Sequence, residues 1–318
     1  MKKEIAKSSA YDFLVMGAGG TGLAAAMYAA RLGLKTLVLG KSNGSELPVG
    51  GVITTTDSVE NYPGFAKISG FELAKKIEEH AREYPLVTIK EEEAVKVEKK
   101  AGIFFVKTSK SKYKTKTILF ATGTKWRKLD IPGSKEFENK GVHYCALCDG
   151  PLFRNKTIAV VGGSDSAVKD ALLLSKYAKK IYILARGRIH PEPINLERAK
   201  HDKKIEMMED VNIKEIRGKE SVTSIIIDRT RKGKNEINVE GVFVAIGHIP
   251  MSELAKSLGV KTDEKGEIII NHETSETNVR GVLAAGDVTN KEFKQLITGV
   301  ADGCTAAYYA HEFIMKDN

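Results

Sequence analysis

Short apolar runs along the chain alternate with glycine-rich turns and with stretches that favour helix. Residues 11–16 are an apolar run of strand length, and residues 17–22 (Gly-Ala-Gly-Gly-Thr-Gly) follow it directly. An Ala-rich stretch continues to Arg31, and a second apolar run occupies residues 36–39. Strands buried on both faces are almost continuously apolar, and a helix connects such parallel neighbours. The pattern therefore predicts a strand, a glycine turn, a helix and a parallel strand.

The same order of elements occurs a second time. The apolar run 157–161 leads into residues 162–167 (Gly-Gly-Ser-Asp-Ser-Ala), a helical stretch to Tyr177 and a further apolar run at 180–184. Each unit has the layout of a dinucleotide-binding half-domain. The sequence thus predicts an α/β fold with two Rossmann-like dinucleotide-binding domains, each of three layers.

The glycines of the first unit have separate expected roles. Gly17 allows the tight turn, Gly19 leaves room for a pyrophosphate, and Gly22 lets helix and strand pack closely. The phosphate would lie on the unpaired N–H groups of the helix N-terminus, and we include Gly20 in the predicted site. An ordinary glycine-rich turn is the alternative, but the strand, helix and strand around it favour a dinucleotide site.

The second motif departs from the pattern at one position. Gly162, Gly163 and Ala167 fit it, since alanine is an accepted variant at the last position, but Ser164 stands where the second glycine is expected. The serine side chain crowds a close pyrophosphate, although its hydroxyl could also hydrogen-bond to that group. We favour nucleotide binding here over a purely structural turn.

Further apolar runs also end in glycine, at residues 118–123, 243–247 and 282–287. Asp287 lies at the carboxyl end of the last run, where ligands sit in open α/β sheets, and a turn cap is the alternative role for it. Two dinucleotide units indicate a flavin and a nicotinamide, or one bound dinucleotide and one decayed site. Because no long linker separates the pieces, we expect short hinges near 121–127 and 244–249.

Composition narrows the class of protein. The 318 residues suffice for about two domains, and 42% hydrophobic with 29% charged residues is ordinary for a globular protein. The net charge is +9, but the basic residues are dispersed and not interleaved with aromatic ones, which favours a solvated surface over a nucleic-acid site. No apolar stretch approaches the ~18 residues of a membrane span, and residues 1–9 lack a leader's apolar core. We expect a cytoplasmic protein without nucleic-acid or membrane partners.

The three cysteines supply the candidate chemistry. Cys145 and Cys148 have C-x-x-C spacing, which in a reducing compartment indicates redox chemistry or half of a metal site. The chain lacks a second C-x-x-C, and Cys304 with the scattered histidines has no ligand spacing. We therefore expect a redox dithiol and no metal, with the thiolate form favoured by a helix start. Cys304 is expected to be a buried structural thiol rather than a third redox centre.

Taken in order, these motifs resemble those of the low-molecular-weight, two-domain thioredoxin reductases, which are flavin-dependent disulfide oxidoreductases. The resemblance covers nearly the whole chain, and the joint order of the motifs is more specific than any one of them. The matching segments are residues 17–22, 59–64, 121–123, 145–150, 162–167, 247–250 and 285–287, followed by Gln295.

By this resemblance, residues 1–123 and 247–318 form one discontinuous FAD-binding domain, and residues 124–246 an inserted NAD(P)-binding domain that carries the dithiol. It also implies a homodimer, and thioredoxin or a glutaredoxin-like protein as partner. The residues expected to bind FAD are Gly17, Gly19, Gly20, Gly22, Asn61, Gly123, Gly286, Asp287 and Gln295. Those expected to bind the nicotinamide dinucleotide are Gly162, Gly163, Ser164, Ala167, Arg186 and Arg188.

The chain departs from the family pattern around the expected FAD site. The strand after the first motif ends at Gly40 and Lys41, without the acidic residue that often holds the adenosine ribose. Lys294 stands where an arginine usually precedes Gln295. Residues 50–53 read Gly-Gly-Val-Ile, where Gln-Leu usually follows the glycines. None of these changes removes a cysteine or glycine on which the interpretation depends.

The electron donor is the least determined feature. Members of the family that use NADPH have His-Arg-Arg after the second strand of the second unit, and these arginines grip the 2′-phosphate. Here Gly187 separates Arg186 from Arg188, and no acidic residue is placed in that stretch to accept a free 2′-hydroxyl. We expect NADPH, with NADH, reduced ferredoxin or a deazaflavin as alternatives.

Our hypothesis gives the residues of the redox segment separate roles. Cys148 faces the flavin, Cys145 attacks the partner's disulfide, and Asp149 is the general acid and base; a helix cap is the alternative for Asp149. The nicotinamide and the dithiol must each reach the same flavin ring, and the dithiol must later face solvent to meet the partner protein. One fixed arrangement of the domains cannot easily do all three, and the resemblance implies that the inserted domain rotates about the hinges. His248 either orients a proton relay or, as we favour, satisfies backbone groups. The alternative to an enzyme is a flavin-dependent redox sensor without steady turnover.

Overall fold

The chain forms two compact units. The computed structural model describes residues 10–40, 49–56, 59–231 and 233–316. Unit 1 comprises the described residues of Met1–Lys125 and Ile249–Asn318, and unit 2 those of Trp126–His248. The chain crosses from one unit to the other inside the two stretches in which short hinges are expected, 121–127 and 244–249.

Two expectations concern residues outside this described part. The expectation of no leader depends on residues 1–9, and the expectation of no ribose-binding acid depends on Lys41. These residues lie outside the described part of the chain. Within the described part, no helix combines the length and the apolar character that crossing a membrane requires.

The helices and strands follow in chain order. The helices are α1 (Gly20–Arg31), α2 (Gly70–Arg82), α3 (Ala146–Asp149), α4 (Asp165–Leu174), α5 (Pro193–His201), α6 (Glu253–Lys256) and α7 (Leu296–Lys316). Single 3-10 turns occupy Val52–Thr55, Gly150–Phe153 and Gly286–Val288. The strands are β1 (Ala10–Met16), β2 (Thr36–Leu39), β3 (Val87–Lys90), β4 (Ala94–Lys100), β5 (Ile103–Thr108), β6 (Lys112–Phe120), β7 (Thr124–Trp126), β8 (Val142–His143), β9 (Thr157–Val161), β10 (Lys180–Leu184), β11 (Ile205–Met208), β12 (Ile213–Gly218), β13 (Val222–Arg231), β14 (Lys234–Asn238), β15 (Gly241–Val244), β16 (His248–Pro250) and β17 (Val282–Ala284).

Unit 1 is built on a mainly parallel sheet. Strands β3, β2, β1 and β6 lie side by side in that order, all parallel. The first half of β6 pairs antiparallel with β5, which in turn pairs with β4. The last three residues of β6 pair with β17, so that strands far apart in the sequence end at the same edge. This edge, formed by the carboxyl ends of the parallel strands, is where an open α/β sheet binds its ligand.

The two faces of β1 explain its almost unbroken run of apolar residues. Successive side chains of a strand point to opposite faces of the sheet. Phe13 and Val15 pack with alanines of α1 and α7 on one face. Leu14 and Met16 pack on the other face in a cluster that includes Phe104 of β5. Because both faces of the sheet are covered, β1 is apolar at almost every position instead of alternating between apolar and polar residues.

Helix α7 approaches α1 closely through two glycines. A Cβ atom on Gly303 would lie 2.3 Å from the carbonyl oxygen of Thr21, and one on Gly299 would lie 2.5 Å from the Thr21 hydroxyl oxygen. Larger residues would force the helices apart, since such contacts are far inside van der Waals distance. The carboxy-terminal helix therefore holds the first turn of α1, the turn that follows the first glycine motif.

Unit 2 repeats the layout of unit 1 at smaller size. Its parallel sheet has the order β11, β10, β9, β15 and β8, and β12, β13 and β14 form a separate antiparallel sheet. The predicted strands 157–161 and 180–184 coincide with β9 and β10. The helix predicted to Tyr177 ends earlier, at Leu174. The α/β class with a strand, turn, helix and strand in each unit is confirmed.

Candidate dinucleotide and redox sites

The first glycine turn is closed by backbone contacts that only glycine permits. Gly17 has φ +114°, and a Cβ atom there would lie 2.1 Å from the carbonyl oxygen of Ala121. A Cβ atom on Gly22 would lie 1.9 Å from the carbonyl oxygen of Gly17. A Cβ atom on Gly20 would lie 2.5 Å from Cδ1 of Leu296, the end of a flexible side chain that would have to shift. The protein's own packing accounts for Gly17 and Gly22.

Gly19 is different, because the fold itself leaves room beside it. Its backbone has φ −80° and ψ 178°, which any residue adopts, and the nearest heavy atom to a Cβ position is the Cα of Gly51 at 3.8 Å. Gly19 caps α1 without a side-chain bond, and the first turn of α1 holds no acidic residue. The free N–H groups and the positive end of the helix dipole therefore lie beside a space that a Cβ atom would fill without a clash. This arrangement fits a pyrophosphate.

The structure brings other expected FAD contacts together from distant parts of unit 1. Asn61 Nδ2 donates a hydrogen bond of 3.0 Å to Oε1 of Gln295. Gly286, with φ +75°, lies against Thr21 in the first turn of α1, and a Cβ atom there would be 2.7 Å from the Thr21 hydroxyl oxygen. Asp287 follows it at the surface. The polar side chains and the glycine turn thus approach the same end of α1.

The unusual Lys294 has a structural partner. Its ammonium group pairs with the carboxylate of Glu267 and donates a 3.1 Å hydrogen bond to the carbonyl oxygen of Asp287. The lysine therefore connects Glu267 to the segment that carries Asp287 and holds that segment in place. Gly123, at the end of the strand run 118–123, has φ +62° and nothing within 4 Å of its Cβ position; its backbone conformation, not its surroundings, favours glycine.

The second glycine turn has the same geometry despite its serine. A Cβ atom on Gly162, with φ +146°, would lie 2.2 Å from the carbonyl oxygen of Ala245 and 3.1 Å from the Cβ of Ala167. Ser164 caps α4 with φ −81° and ψ 173°, nearly the values of Gly19, and its side chain makes no capping bond. A serine fits this backbone without strain. Its hydroxyl is left for another partner.

Asp165 occupies the first turn of α4 but is held by protein groups. Lys169 Nζ lies 2.6 Å from Oδ2, and Oδ1 accepts hydrogen bonds of 2.9 Å from Asn195 and from the backbone N–H of Glu192. Burial alone would raise the pKa of Asp165, but the hydrogen bonds, above all the one from Lys169, bring that pKa below its ordinary value. The carboxylate is thus already neutralised at this helix terminus.

Arg186 and Arg188 lie at the carboxyl end of β10. Both side chains are exposed, and neither has an ion-pair partner within the described part of the chain. The loop is fastened to the glycine turn, because the N–H of His190 donates to the carbonyl oxygen of Gly163 at 2.8 Å. Two cations are therefore presented beside the second turn.

An acidic group near these arginines was missed by sequence reasoning. Glu209, directly after β11, accepts a 2.8 Å hydrogen bond from the backbone N–H of Ile189 through Oε1. It comes from the neighbouring strand, so the stretch after β10 gave no signal of it. The parallel pairing of β10 with β11 places the two segments side by side.

The two cysteines of the C-x-x-C segment form a disulfide at the start of α3. The Cα atoms of Cys145 and Cys148 are 5.4 Å apart, within the usual range for a disulfide. Cys145 is the N-cap residue, and its sulfur accepts a 3.1 Å hydrogen bond from the backbone N–H of Cys148. The spacing thus places both sulfurs at one helix start, as predicted.

Asp149 ends α3 and lies beside a histidine that the sequence analysis did not single out. Oδ2 of Asp149 is 2.9 Å from Nδ1 of His143, whose side chain is only 7% exposed. The imidazole ring stacks on Phe243 at 5.6 Å between centroids and meets Phe153 edge-on at 5.2 Å. A histidine two positions before the first cysteine, at the end of an apolar strand, is the signal that could have revealed it.

The remaining candidates lie apart from this pair in the chain. Cys304 is a half-buried free thiol in α7 of unit 1, and burial raises its pKa. Burial, followed by the nearby Cys304, also raises the pKa of Tyr62. Such a thiol is poorly suited to nucleophilic attack. His248 lies exposed in β16. Within the described ranges, no group of three or more His, Cys, Asp or Glu side chains is arranged to hold a metal ion.

Comparison with known proteins agrees with this geometry. Residues 11–303 match the family of pyridine nucleotide-disulphide oxidoreductases. A 34.2 kDa protein of the rubredoxin operon of Clostridium pasteurianum is 39% identical, over 95% of this chain and 97% of its own length. The thioredoxin reductase of Bacillus subtilis is 36% identical, over 96% and 95%.

A solved structure shows the same relationship. The crystal structure of Lactococcus lactis thioredoxin reductase matches with a TM-score of 0.90 at 36% identity, covering 96% of this chain and 99% of that one. The resemblance to the low-molecular-weight thioredoxin reductases is thereby confirmed, and with it the fold of two Rossmann-like domains. The chain belongs to the pyridine nucleotide-disulphide oxidoreductase family.

Proposed function

We propose that the protein is a thioredoxin-disulfide reductase, which passes reducing equivalents from NADPH through FAD and the cysteine pair to thioredoxin or a glutaredoxin-like protein. The observation that carries the proposal is the disulfide between Cys145 and Cys148 at the start of a helix that ends at Asp149. The relatives named thioredoxin reductase support thioredoxin as the partner.

Unit 1 is the proposed FAD-binding part. The open space beside Gly19 and the uncapped start of α1 suit the pyrophosphate, and the hydrogen-bonded pair Asn61 and Gln295 is proposed to hold other polar groups of the cofactor. Asp287, at the carboxyl end of β17, is proposed to accept a ribitol hydroxyl. When bound, FAD supplies the chemistry of taking two electrons from a donor and giving them to a disulfide.

The reduced cysteine pair then exchanges with the partner's disulfide. Asp149 takes the proton of the Cys145 thiol, and the Cys145 sulfur attacks one partner sulfur, forming a mixed disulfide. The other partner sulfur leaves as a thiolate and takes that proton from Asp149. Cys148 then gives its proton to Asp149 and attacks the Cys145 sulfur, which closes the internal disulfide. The second partner sulfur leaves as a thiolate and takes that proton from Asp149. Two thiols are lost by the enzyme and two are gained by the partner, so atoms and electrons balance.

Unit 2 is the proposed NAD(P)-binding part, and NADPH is the donor that its geometry supports best. Ser164 leaves a hydroxyl at the uncapped start of α4, and Arg186 and Arg188 present positive charges near it that no carboxylate of the described residues neutralises. Exposed guanidinium groups suit a 2′-phosphate, because charge-assisted bonds to phosphate are strong and geometrically matched. Glu209, the acidic residue after β11, accepts a hydrogen bond from the backbone N–H of Ile189 through Oε1.

We also propose that the enzyme works as a homodimer in the cytoplasm. The dimer follows from the family resemblance, and the compartment from the chemistry, since a C-x-x-C pair that cycles needs partners held in a reducing environment. Light scattering on the eluting peak of a sizing column measures the mass directly. A monomeric mass at micromolar concentration would contradict the dimer.

Steady-state turnover tests the proposed activity. Purified yellow protein, oxidised thioredoxin and NADPH should give continuous NADPH oxidation, and the Cys145→Ser/Cys148→Ser double variant should abolish it while retaining FAD. Cys304→Ser, which changes the remaining cysteine in the other unit, is the matched control and should keep full activity. Persistence of thioredoxin reduction in the double variant would refute the proposal.

The donor and the sensor alternative are separated by a second experiment. The flavoprotein is titrated anaerobically with NADPH, NADH and reduced ferredoxin in turn, and bleaching of the flavin band is recorded. We expect NADPH to bleach it at the lowest concentration. Bleaching by ferredoxin alone would replace the donor but keep the dithiol chemistry. A protein that accepts one round of electrons and never turns over with thioredoxin would be the redox sensor.

A further inference from the structure

Unit 2 contains a buried histidine, His143, that has no role in the exchange reaction proposed above. His143 is the last residue of β8, an edge strand of the parallel sheet, and lies two residues before Cys145. Its side chain is 7% exposed, and the Asp149 side chain beside it is 30% exposed. The imidazole therefore lies on the protein side of the carboxyl group, while the carboxyl group itself reaches solvent.

The Nδ1 atom of this histidine is an unsatisfied polar group. Within the described residues it has no aligned hydrogen bond, although Oδ2 of Asp149 lies only 2.9 Å away. A buried donor or acceptor without a partner costs about 1–3 kcal/mol, so a native fold that keeps one calls for an explanation. The last torsion of the Asp149 side chain is soft, so its carboxyl oxygens can move towards the direction of the Nδ1–H bond at little cost.

The imidazole has little freedom to turn away. Phe243 stacks on one face at an interplanar angle of 29°, and the edge of the ring contacts Phe153 at 76°. Phe153 and Phe243 also contact each other at 5.1 Å, so the three rings form one packed cluster. The cluster limits rotation of the imidazole and keeps Nδ1 2.9 Å from Oδ2 of Asp149.

We propose that His143 is a positioning residue for the dithiol exchange: its Nδ1–H donates to Oδ2 of Asp149 and leaves Oδ1 as the oxygen that carries the proton between Cys145 and the partner's leaving sulfur. The inference rests on the proposed role of Asp149 in thioredoxin reduction. The histidine adds no electrons and forms no covalent bond. It holds the carboxyl group of Asp149 in place while the proton is taken from Cys145 and given to the partner sulfur.

The test uses single-turnover exchange that needs no donor. The full-length flavoprotein is reduced with excess dithiothreitol, desalted under argon and mixed with oxidised thioredoxin, and the thiols formed on thioredoxin are quenched and counted over time. The variants are His143→Leu, His143→Asn, Asp149→Asn and the double variant His143→Leu/Asp149→Asn.

We expect Asp149→Asn to slow exchange about 100-fold, the lower range for loss of a general acid and base, and His143→Leu to slow it about 10-fold in the rate at saturating thioredoxin, with the half-saturating concentration unchanged. His143→Asn, whose amide N–H occupies the place of Nδ1, should restore most of that rate. In the Asp149→Asn background, His143→Leu should have less than a twofold effect, since it acts through the carboxyl.

The outcomes separate the inference from the proposed function. If Asp149→Asn exchanges at the wild-type rate, the proposed role of Asp149 fails, and the positioning role fails with it. If Asp149→Asn is slow but His143→Leu is within twofold of wild type, only the positioning role is overturned. The positioning role is also overturned if His143→Asn is as slow as His143→Leu, or if the histidine effect persists in the Asp149→Asn background, because the histidine would then act through packing.

Discussion

Replacing Gly19 by alanine separates cofactor binding from folding. Its φ of −80° suits alanine, and the nearest atom to the new methyl group, the Cα of Gly51, is 3.8 Å away, an ordinary contact. Alanine is a poorer N-cap than glycine, by about 1 kcal/mol, but it also lowers the entropy of the unfolded chain, which offsets about 0.4–1 kcal/mol. The net change in the free energy of unfolding is therefore about 1 kcal/mol or less.

The effect on FAD binding should be much larger. The methyl group occupies the space in which a pyrophosphate approaches the first N–H groups of α1, and losing one or two hydrogen bonds to a charged group costs about 1.5–3 kcal/mol each. Each 1.4 kcal/mol is a factor of about ten in affinity. We therefore expect the Kd for FAD to rise about 10-fold to 10,000-fold.

The assay uses apoprotein prepared by removing the flavin. Titration with FAD, followed by flavin fluorescence, gives the Kd, and thermal unfolding of the apoprotein gives the Tm, which should fall by no more than about 4 °C. Gly187→Ala is the control, because its Cβ position meets nothing within 4 Å and it lies in the other unit. Wild-type FAD affinity in Gly19→Ala would refute the assignment of this space to the pyrophosphate, and a Tm lowered by more than about 10 °C would refute the steric argument.

Other predictions follow from the same geometry. Gly22→Ala should unfold or melt far below wild type even without FAD, because its methyl group would lie 1.9 Å from the carbonyl oxygen of Gly17; a Tm within about 4 °C of wild type would contradict this. Burial raises the pKa of Asp170 to about 7 from 3.8, so its ionisation destabilises the fold as pH rises through that interval. Asp170→Asn should accordingly raise the Tm at pH 8 and leave it unchanged at pH 4, and equal shifts at both would rule out the linkage. Arg186→Ala/Arg188→Ala should raise the KM for NADPH about 100-fold or more and leave that for NADH unchanged, since two lost charge-assisted bonds of about 1.5–3 kcal/mol each amount to about 3 kcal/mol or more; parallel losses would remove these residues from 2′-phosphate recognition.

The sequence alone was sufficient for features that depend on a few neighbouring residues, such as turns, buried strands and the cysteine pair. The steric demands of a tight turn made Gly17 and Gly162 recognisable, and burial on both faces made the central strands appear as apolar runs. The spacing of Cys145 and Cys148 predicted a disulfide at a helix start, because side chains three positions apart lie on the same face of a helix. The donor motif was less informative, since Ser164 changes a side chain without changing the backbone.

Only tertiary structure decided which distant groups meet. Asn61 and Gln295 are 234 positions apart and share a hydrogen bond, and Glu209 reaches the loop after β10 because two strands pair in parallel. His143 and Asp149 are close in sequence, but a strand end and a helix end separate them, and no periodicity relates such positions. The contacts between elements depend on how sheets and helices pack, and that packing is a property of the whole chain, whereas turns, caps and burial patterns are properties of a few neighbouring residues.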